Sequence, residues 1–112
     1  MSSRDSFLAI AKRPLKTDEI TIEGQTFRIR ELSEGDAAKM EIEMQDGKGR
    51  FDYTRHRRLM VAYSLVDDDG NRLIDNPDDL IGCAKAIVSA VYERCLALSD
   101  YDPKEVESLV KK

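Results

Sequence analysis

The residues with the clearest capacity for chemistry form an acidic turn, Asp67-Asp68-Asp69-Gly70. Carboxylate oxygens are the ligands that calcium prefers, so the turn invites comparison with a twelve-residue calcium loop. Aligning Gly70 with the invariant glycine of such a loop places Leu65 first and Asn76 last. The loop needs a carboxylate first and a bidentate glutamate last. The sequence therefore favours a tight turn, with positive φ at Asp69-Gly70 or Gly70-Asn71 and solvated carboxylates, over a calcium site.

A basic cluster, Arg55-His56-Arg57-Arg58, is the second candidate, because arginines bind phosphate. Consecutive residues fan out around a helix, and no aromatic side chains are interleaved here to stack on bases. We expect a solvated, salt-bridged face instead, with Glu41, Glu43 and the acidic turn as its partners.

Metal and covalent chemistry have few candidate residues. His56 is the only histidine, which leaves too few ligands for a zinc set with Cys83 and Cys95. Both cysteines are predicted on one helix, about 18 Å apart along its axis, so they cannot form a disulfide within one chain. We expect two buried, reduced thiols. The sequence contains no Gly-rich phosphate loop and no local catalytic arrangement, so it predicts neither an enzyme nor a cofactor or metal site.

Size and composition bound the remaining possibilities. The 112 residues are 41% hydrophobic, 36% charged and 6% aromatic, which predicts one domain with a modest aliphatic core. A net charge of -4 argues against a nucleic-acid partner. No apolar run approaches the roughly 20 residues that cross a bilayer, and the N-terminus has no secretory pattern. The cytoplasm is therefore the expected location, with no membrane partner.

The pattern of apolar residues predicts the elements. Alternation over residues 17–32 predicts a β-hairpin that turns at Glu23-Gly24-Gln25. Helical spacing predicts helices near residues 33–46, 52–66 and 77–98, with N-terminal caps at Ser33 and at Asn76 before Pro77. Asp102-Pro103 starts a short terminal helix by the same logic. The expected fold class is α+β: an N-terminal β-hairpin packed on a bundle of three main helices, plus a short C-terminal helix.

The chain divides into three parts on this pattern. Residues 1–16 form an adaptable N-terminal arm, 17–98 a single globular α+β domain, and 99–112 a short C-terminal helical segment. Both end segments have apolar faces that are too narrow for a core. This indicates that these segments become ordered when they bind a partner. The candidate partner-binding residues are Phe7, Leu8, Val106, Leu109 and Val110. Such faces also favour self-association, so we expect a homo-oligomer.

The succession of these pieces resembles the tail assembly chaperones of long-tailed phages and of prophages derived from them. The resemblance covers residues 17–98 and lies in turn and strand patterns. The matching pieces are the strand Phe27 to Leu32 running into Ser33 to Asp36, the helix ending at Leu65-Val66, the turn Asp68 to Ile74 and the long final helix. Residues 102–112 have no counterpart in the pattern.

The resemblance implies a non-enzymatic protein of the host cytoplasm that binds the tape-measure protein and keeps it soluble during tail assembly. Tail-tube subunits are a further candidate partner, and the implied mode of binding is a helix laid in an apolar groove. Two other functions stay open. One is a tail-completion or head–tail connector protein retained in the virion, and the other is a small nucleic-acid-binding regulator that uses the arginines on phosphate.

Overall fold

A two-residue turn builds the predicted hairpin in the computed structural model, which describes residues 2–101. Strands β1 (Thr17–Ile22) and β2 (Gln25–Arg30) pair antiparallel, and Ile22 lies opposite Gln25 at the closed end. Glu23 and Gly24 have φ values of 50° and 82°. These left-handed conformations at both turn positions match the twist of the flanking strands. The hairpin was correctly predicted, except that Gln25 already belongs to β2.

A third strand extends the sheet where the sequence predicts the end of a helix. Helix α3 runs over His56–Ser64, after one 3-10 turn at Tyr53–Arg55. Leu65–Val66 then form β3, which pairs antiparallel with β2, so the sheet order is β1-β2-β3. The predicted helix over 52–66 is therefore wrong at its last two residues. Pairing with β2 satisfies the hydrogen-bonding backbone groups of these two residues, which a continued helix would otherwise satisfy.

Arg72 makes this change of backbone direction possible. Its Nε donates to the carbonyl oxygen of Ala62 at 2.9 Å, which is the acceptor left over when the chain leaves α3. Its Nη2 donates to the carbonyl oxygens of Ile74 and Asp75 at 3.1 and 3.2 Å. The guanidinium carbon also lies 4.1 Å from the ring centre of Tyr63. One side chain thus joins the end of α3 to the returning loop.

The predicted caps are correct, but the third predicted helix is interrupted. Helix α2 covers Glu34–Glu43, and the Ser33 hydroxyl accepts from the Asp36 N–H at 3.1 Å. Asn76 caps a 3-10 helix at Pro77–Leu80, and helix α4 begins only at Lys85 and ends at Leu98. The continuous helix predicted over 77–98 is thus wrong, since residues 81–84 form a turn. Gly82 in that turn lowers helix propensity, and ψ at Ala84 is extended, at 124°.

Helix α3 lies at the centre of the core. It packs against α4, α2 and the Pro77–Leu80 turn, while α4 also covers β1 and β2. The side chains of Leu59, Met60, Ile29 and Cys95 are fully buried. A first helix, α1 (Ser3–Ala11), is capped by the Ser2 hydroxyl and contributes no buried residue. The described chain is thus a core of α2–α4 and the sheet, with α1 outside it, which agrees with the predicted α+β class. The predicted terminal helix lies outside the described residues.

Among residues 2–101, no helix combines the length and the apolarity needed to cross a bilayer.

We expect Arg72→Met to lower the free energy of unfolding by about 1–3 kcal/mol, because the buried Ala62 carbonyl loses its donor. Urea denaturation followed by circular dichroism measures the change. Arg4→Met replaces an exposed arginine of α1 and is the matched control, with an expected change within about 0.5 kcal/mol. Equal urea midpoints for the two variants would contradict the role assigned to Arg72.

Candidate functional site

An open apolar groove lies where the hairpin turn approaches the beginning of α4. Val61, Val88 and Val91 form its buried wall, and Ile22 and Phe27 contribute from the hairpin. Its volume is about 320 Å³, which is at the small end of the range for ligand pockets. The groove therefore has room for a few apolar side chains of a partner.

The rim of the groove contains apolar residues that the sequence pattern places in the core. Ile87 is 41% exposed and Cys83 is exposed, although both have helical spacing with buried residues of α4. The prediction that Cys83 is buried is therefore wrong, because the turn over 81–84 carries it away from the helix. Its thiol lies 3.6 Å from the carbonyl oxygen of Asp79. The groove thus presents apolar surface to solvent.

A second apolar surface lies on α1. Phe7 is 67% exposed and Ile10 is 74% exposed, while Leu8 is partly buried. Positions 7, 8, 10 and 11 share one side of the helix by their spacing. The short helical face predicted for the arm is therefore present, and it faces solvent.

Glu31 fastens the base of this arm to the sheet. Its side chain is 10% exposed, and its carboxylate accepts from both terminal nitrogens of Arg13 and, at 2.8 Å, from the backbone N–H of Lys16. The Glu31 N–H in turn donates to the Lys16 carbonyl oxygen at 2.9 Å. The guanidinium of Arg13 lowers the pKa of the Glu31 carboxyl. We call these contacts of Arg13 and Lys16 with Glu31 the latch. The latch holds α1 beside Thr17, the first residue of β1.

The outer edge of β1 is closed near its middle. The Asp18 carboxylate accepts from the Glu19 N–H at 2.8 Å and from Arg94 Nη2 at 2.6 Å. The same Arg94 nitrogen donates to the Glu19 carbonyl oxygen at 3.2 Å. Since both outward backbone groups of Glu19 have partners, a strand from another molecule meets an obstacle here. This favours the groove and α1 over the sheet edge as partner surfaces.

The basic cluster is dispersed around α3. The Arg55 guanidinium donates to the Glu43 carbonyl oxygen at 2.6 Å, and that of Arg57 lies 5.8 Å from the Tyr92 ring centre. Arg58 Nε is buried without an acceptor among residues 2–101. As predicted, the basic side chains point in different directions around the helix. The expected ion pairs with Glu41, Glu43 and the acidic turn are not found in the described part of the chain.

His56 joins α3 to α4 rather than facing a ligand. Its ring is buried, and Nδ1 lies 2.8 Å from the Tyr92 hydroxyl. The Tyr92 and Tyr101 rings contact it edge-on, with centres 5.6 and 6.1 Å away. Burial lowers the pKa of His56 and raises that of Tyr92 to about 12. The imidazole is therefore a neutral, structural group near neutral pH.

The acidic turn is held by its own residues and by two arginines of β2. Asp67 Oδ1 accepts from the N–H groups of Asp69 and Asn71, both at 2.9 Å, and Gly70 has the predicted positive φ of 84°. Arg28 and Arg30 donate to the carbonyl oxygens of Asp68 and Gly70 at 3.3 and 3.0 Å. The positive φ favours glycine at this position, and a Cβ on Gly70 would lie 3.1 Å from Arg30 Nη1, so that the arginine would have to shift slightly. The alternation of arginines in β2 thus serves to anchor this turn.

The structure describes two of the five predicted site residues. Phe7 and Leu8 lie on α1, away from the groove, and Val106, Leu109 and Val110 lie outside the described residues. The groove itself was missed, although Gly82 was a signal that could have broken the predicted helix. No group of three or more side chains able to ligate a metal occurs within residues 2–101.

Comparisons with protein-family models, with curated proteins and with solved structures give no match to this chain. The case for a function therefore depends on the groove, the exposed face of α1 and the resemblance stated above.

We expect Cys83 and Cys95 to differ sharply in reactivity. Cys83 is exposed, whereas burial raises the pKa of Cys95 to about 11, and the thiolate is the reactive form. A maleimide reagent should label the folded protein once, at Cys83, and label Cys95 only in denaturant. Peptide mass spectrometry measures the sites, with Cys83→Ser as the unlabelled control. Rapid labelling of Cys95 in the folded protein would contradict the described packing.

Acidification is expected to destabilise the protein through His56. Burial lowers its pKa below the ordinary 6.5, so on acidification the unfolded chain takes up this proton first. The free energy of unfolding therefore falls as pH drops below 6.5 and levels off below the folded-state pKa.

Urea midpoints at about pH 7.5 and about pH 5.5 measure this contribution. His56→Gln should show a smaller loss on acidification than the wild-type protein. Tyr92→Phe removes the hydroxyl partner but keeps the imidazole, so its pH dependence should persist. The same loss in wild type and His56→Gln would exclude His56 as the source.

Proposed function

We propose that this protein is a phage tail assembly chaperone. In this proposal it binds helical segments of the tape-measure protein in the cytoplasm of the host cell and keeps them soluble until the tail tube polymerises. It performs no catalysis and needs no cofactor. Tail-tube subunits are a further candidate partner, with the same type of exposed apolar helix as the expected ligand.

The observation that carries the proposal is the open groove between the hairpin turn and α4. Its wall is aliphatic, and Ile87 extends apolar surface onto the rim. A groove of this kind accepts the apolar face of an amphipathic helix, whose anchors recur at three- and four-residue spacing. A volume of about 320 Å³ suits a few such anchors rather than a whole helix. Several copies along one long client would be needed to cover it.

The rest of the surface is compatible with an escort protein. Charged residues make up 36% of the chain, which favours solubility while a small apolar area is exposed. The apolar face of α1 at Phe7 and Leu8 supplies a second contact area. Val106, Leu109 and Val110 stay predicted partner-binding residues.

We expect Ile87→Glu to weaken capture of a tape-measure fragment at least tenfold, about 1.4 kcal/mol, because it places a charge on the rim of the apolar groove. Because Ile87 is 41% exposed, the substitution should leave the fold intact. The measurement is the affinity for a purified fragment of the tape-measure protein encoded in the same genome, by calorimetry. Circular dichroism confirms that the variant is folded.

The matched control is Ile42→Glu, the same change at a 67% exposed position of α2 that does not line the groove. It should bind as the wild-type protein does. Equal affinities for wild type, Ile87→Glu and Ile42→Glu would contradict binding in the groove. Absence of binding by the wild-type chain would contradict the chaperone proposal itself and favour a connector retained in the virion.

A further inference from the structure

We propose that α1 of one copy of this protein fills the apolar groove of a second copy. The inference rests on the groove being the partner-binding site of the proposed function. When no client is present, α1 of a second copy would occupy the groove. Self-association and client binding would then compete for the same surface.

Within residues 2–101, the apolar face of α1 is largely open to solvent. Phe7 and Ile10 are 67% and 74% exposed, and no residue of the helix is buried. A helix of nine residues is marginal on its own in water, so docking of this face would stabilise it. The groove offers a complementary apolar lining, and among residues 2–101 its volume of about 320 Å³ leaves room for a few such side chains.

The position of α1 excludes the groove of the same chain as its binding site. The latch of Arg13 and Lys16 on Glu31 holds α1 beside the first residue of β1. The groove begins at the other end of that strand, at Ile22 and Glu23, about 17 Å away along its axis. Each chain therefore presents a ligand at one end of the hairpin and a receptor at the other. Two copies aligned antiparallel bring both pairs together.

The charged residues around α1 also favour this pairing. Arg4 precedes Phe7 by three positions and Leu8 by four, so it lies on the apolar side of α1. It is 78% exposed, beside the carboxylate of Asp5. Lys12 follows the last residue of the helix. The apolar face of α1 is thus flanked by basic side chains at both ends.

The groove has acidic flanks. Glu23 lines it on the hairpin side, and the exposed Asp78 and Asp79 immediately precede the lining residue Leu80. Lys85 is the nearby basic residue, so acidic side chains predominate at this end. The charge of the groove thus complements that of α1, and added salt should weaken the contact.

The test uses the full chain without any client, in sedimentation equilibrium over a dilution series. Phe7→Glu disables the helix, and Ile87→Glu disables the groove, both at exposed positions. Each substitution should raise the dissociation constant of the oligomer at least tenfold. Added salt should raise the dissociation constant of the wild-type oligomer. Ile42→Glu, at an exposed position outside both surfaces, should associate as the wild-type protein does.

Mixing the two defective variants gives the decisive result. The Ile87→Glu chain keeps an intact α1, and the Phe7→Glu chain keeps an intact groove. The mixture should therefore form a heterologous complex that neither variant forms alone. An association through any other surface would not be restored by mixing.

A wild-type chain that is monomeric up to about 1 mM would overturn the proposal, as would association that both variants leave unchanged or that mixing does not restore. Failure of this proposal can be distinguished from failure of the proposed function. If Ile87→Glu still loses the tape-measure fragment while the oligomer is unaffected, the groove binds the client and α1 is not its second ligand. If the oligomer behaves as expected but no fragment binds, the groove is a site for self-association alone.

Discussion

The contact on which the rest of this structure depends is that of the Arg72 guanidinium with the end of α3. Most of α3 is buried, so its last carbonyl groups cannot turn to water when the helix stops. Arg72 donates to Ala62 and holds the loop at Ile74 and Asp75. The chain can then leave the helix and pair Leu65 with β2. The contacts of this one side chain thus support the pairing of the third strand with β2, and that strand supplies Leu65 to the lining of the groove.

The parts of the fold that were predictable from sequence are those determined by neighbouring residues. The Glu23–Gly24 turn, the Ser33 cap and the Asn76–Pro77 start each depend on conformational preferences within a few positions. The errors occur where distant contacts decide. Leu65–Val66 continue a helical pattern, yet pairing with β2 makes them a strand, and the acceptor at Ala62 is supplied from ten residues away.

The two apolar surfaces of the candidate site differ in the same way: one depends on neighbouring residues and the other on distant contacts. The exposed face of α1 was predictable, because a short amphipathic segment followed by Pro14 cannot join a long helix. The groove was not predictable, because Ile87 and Cys83 have the helical spacing of core residues. Their exposure depends on the turn at 81–84 and on how far the hairpin extends over α4. Periodicity alone identifies a stripe but cannot show which of its residues lack a neighbour.

The groove and the apolar face of α1 lie apart on each chain, so a second copy and a client can compete for the same groove. A protein that exposes both a groove and a matching helix lowers its affinity for a client, because the client must displace the second copy. The cost is bounded by the free energy of a small contact, made by a few side chains on a groove of about 320 Å³. On these proposals, each copy that a client recruits must first leave its own partner copy, so the same cost applies to every binding segment. On these proposals, weak self-association keeps out apolar segments whose contact with the groove is weaker than that of α1. The contacts of Arg13 and Lys16 with Glu31 contribute to this selection, on the same proposals, by holding each α1 away from its own groove.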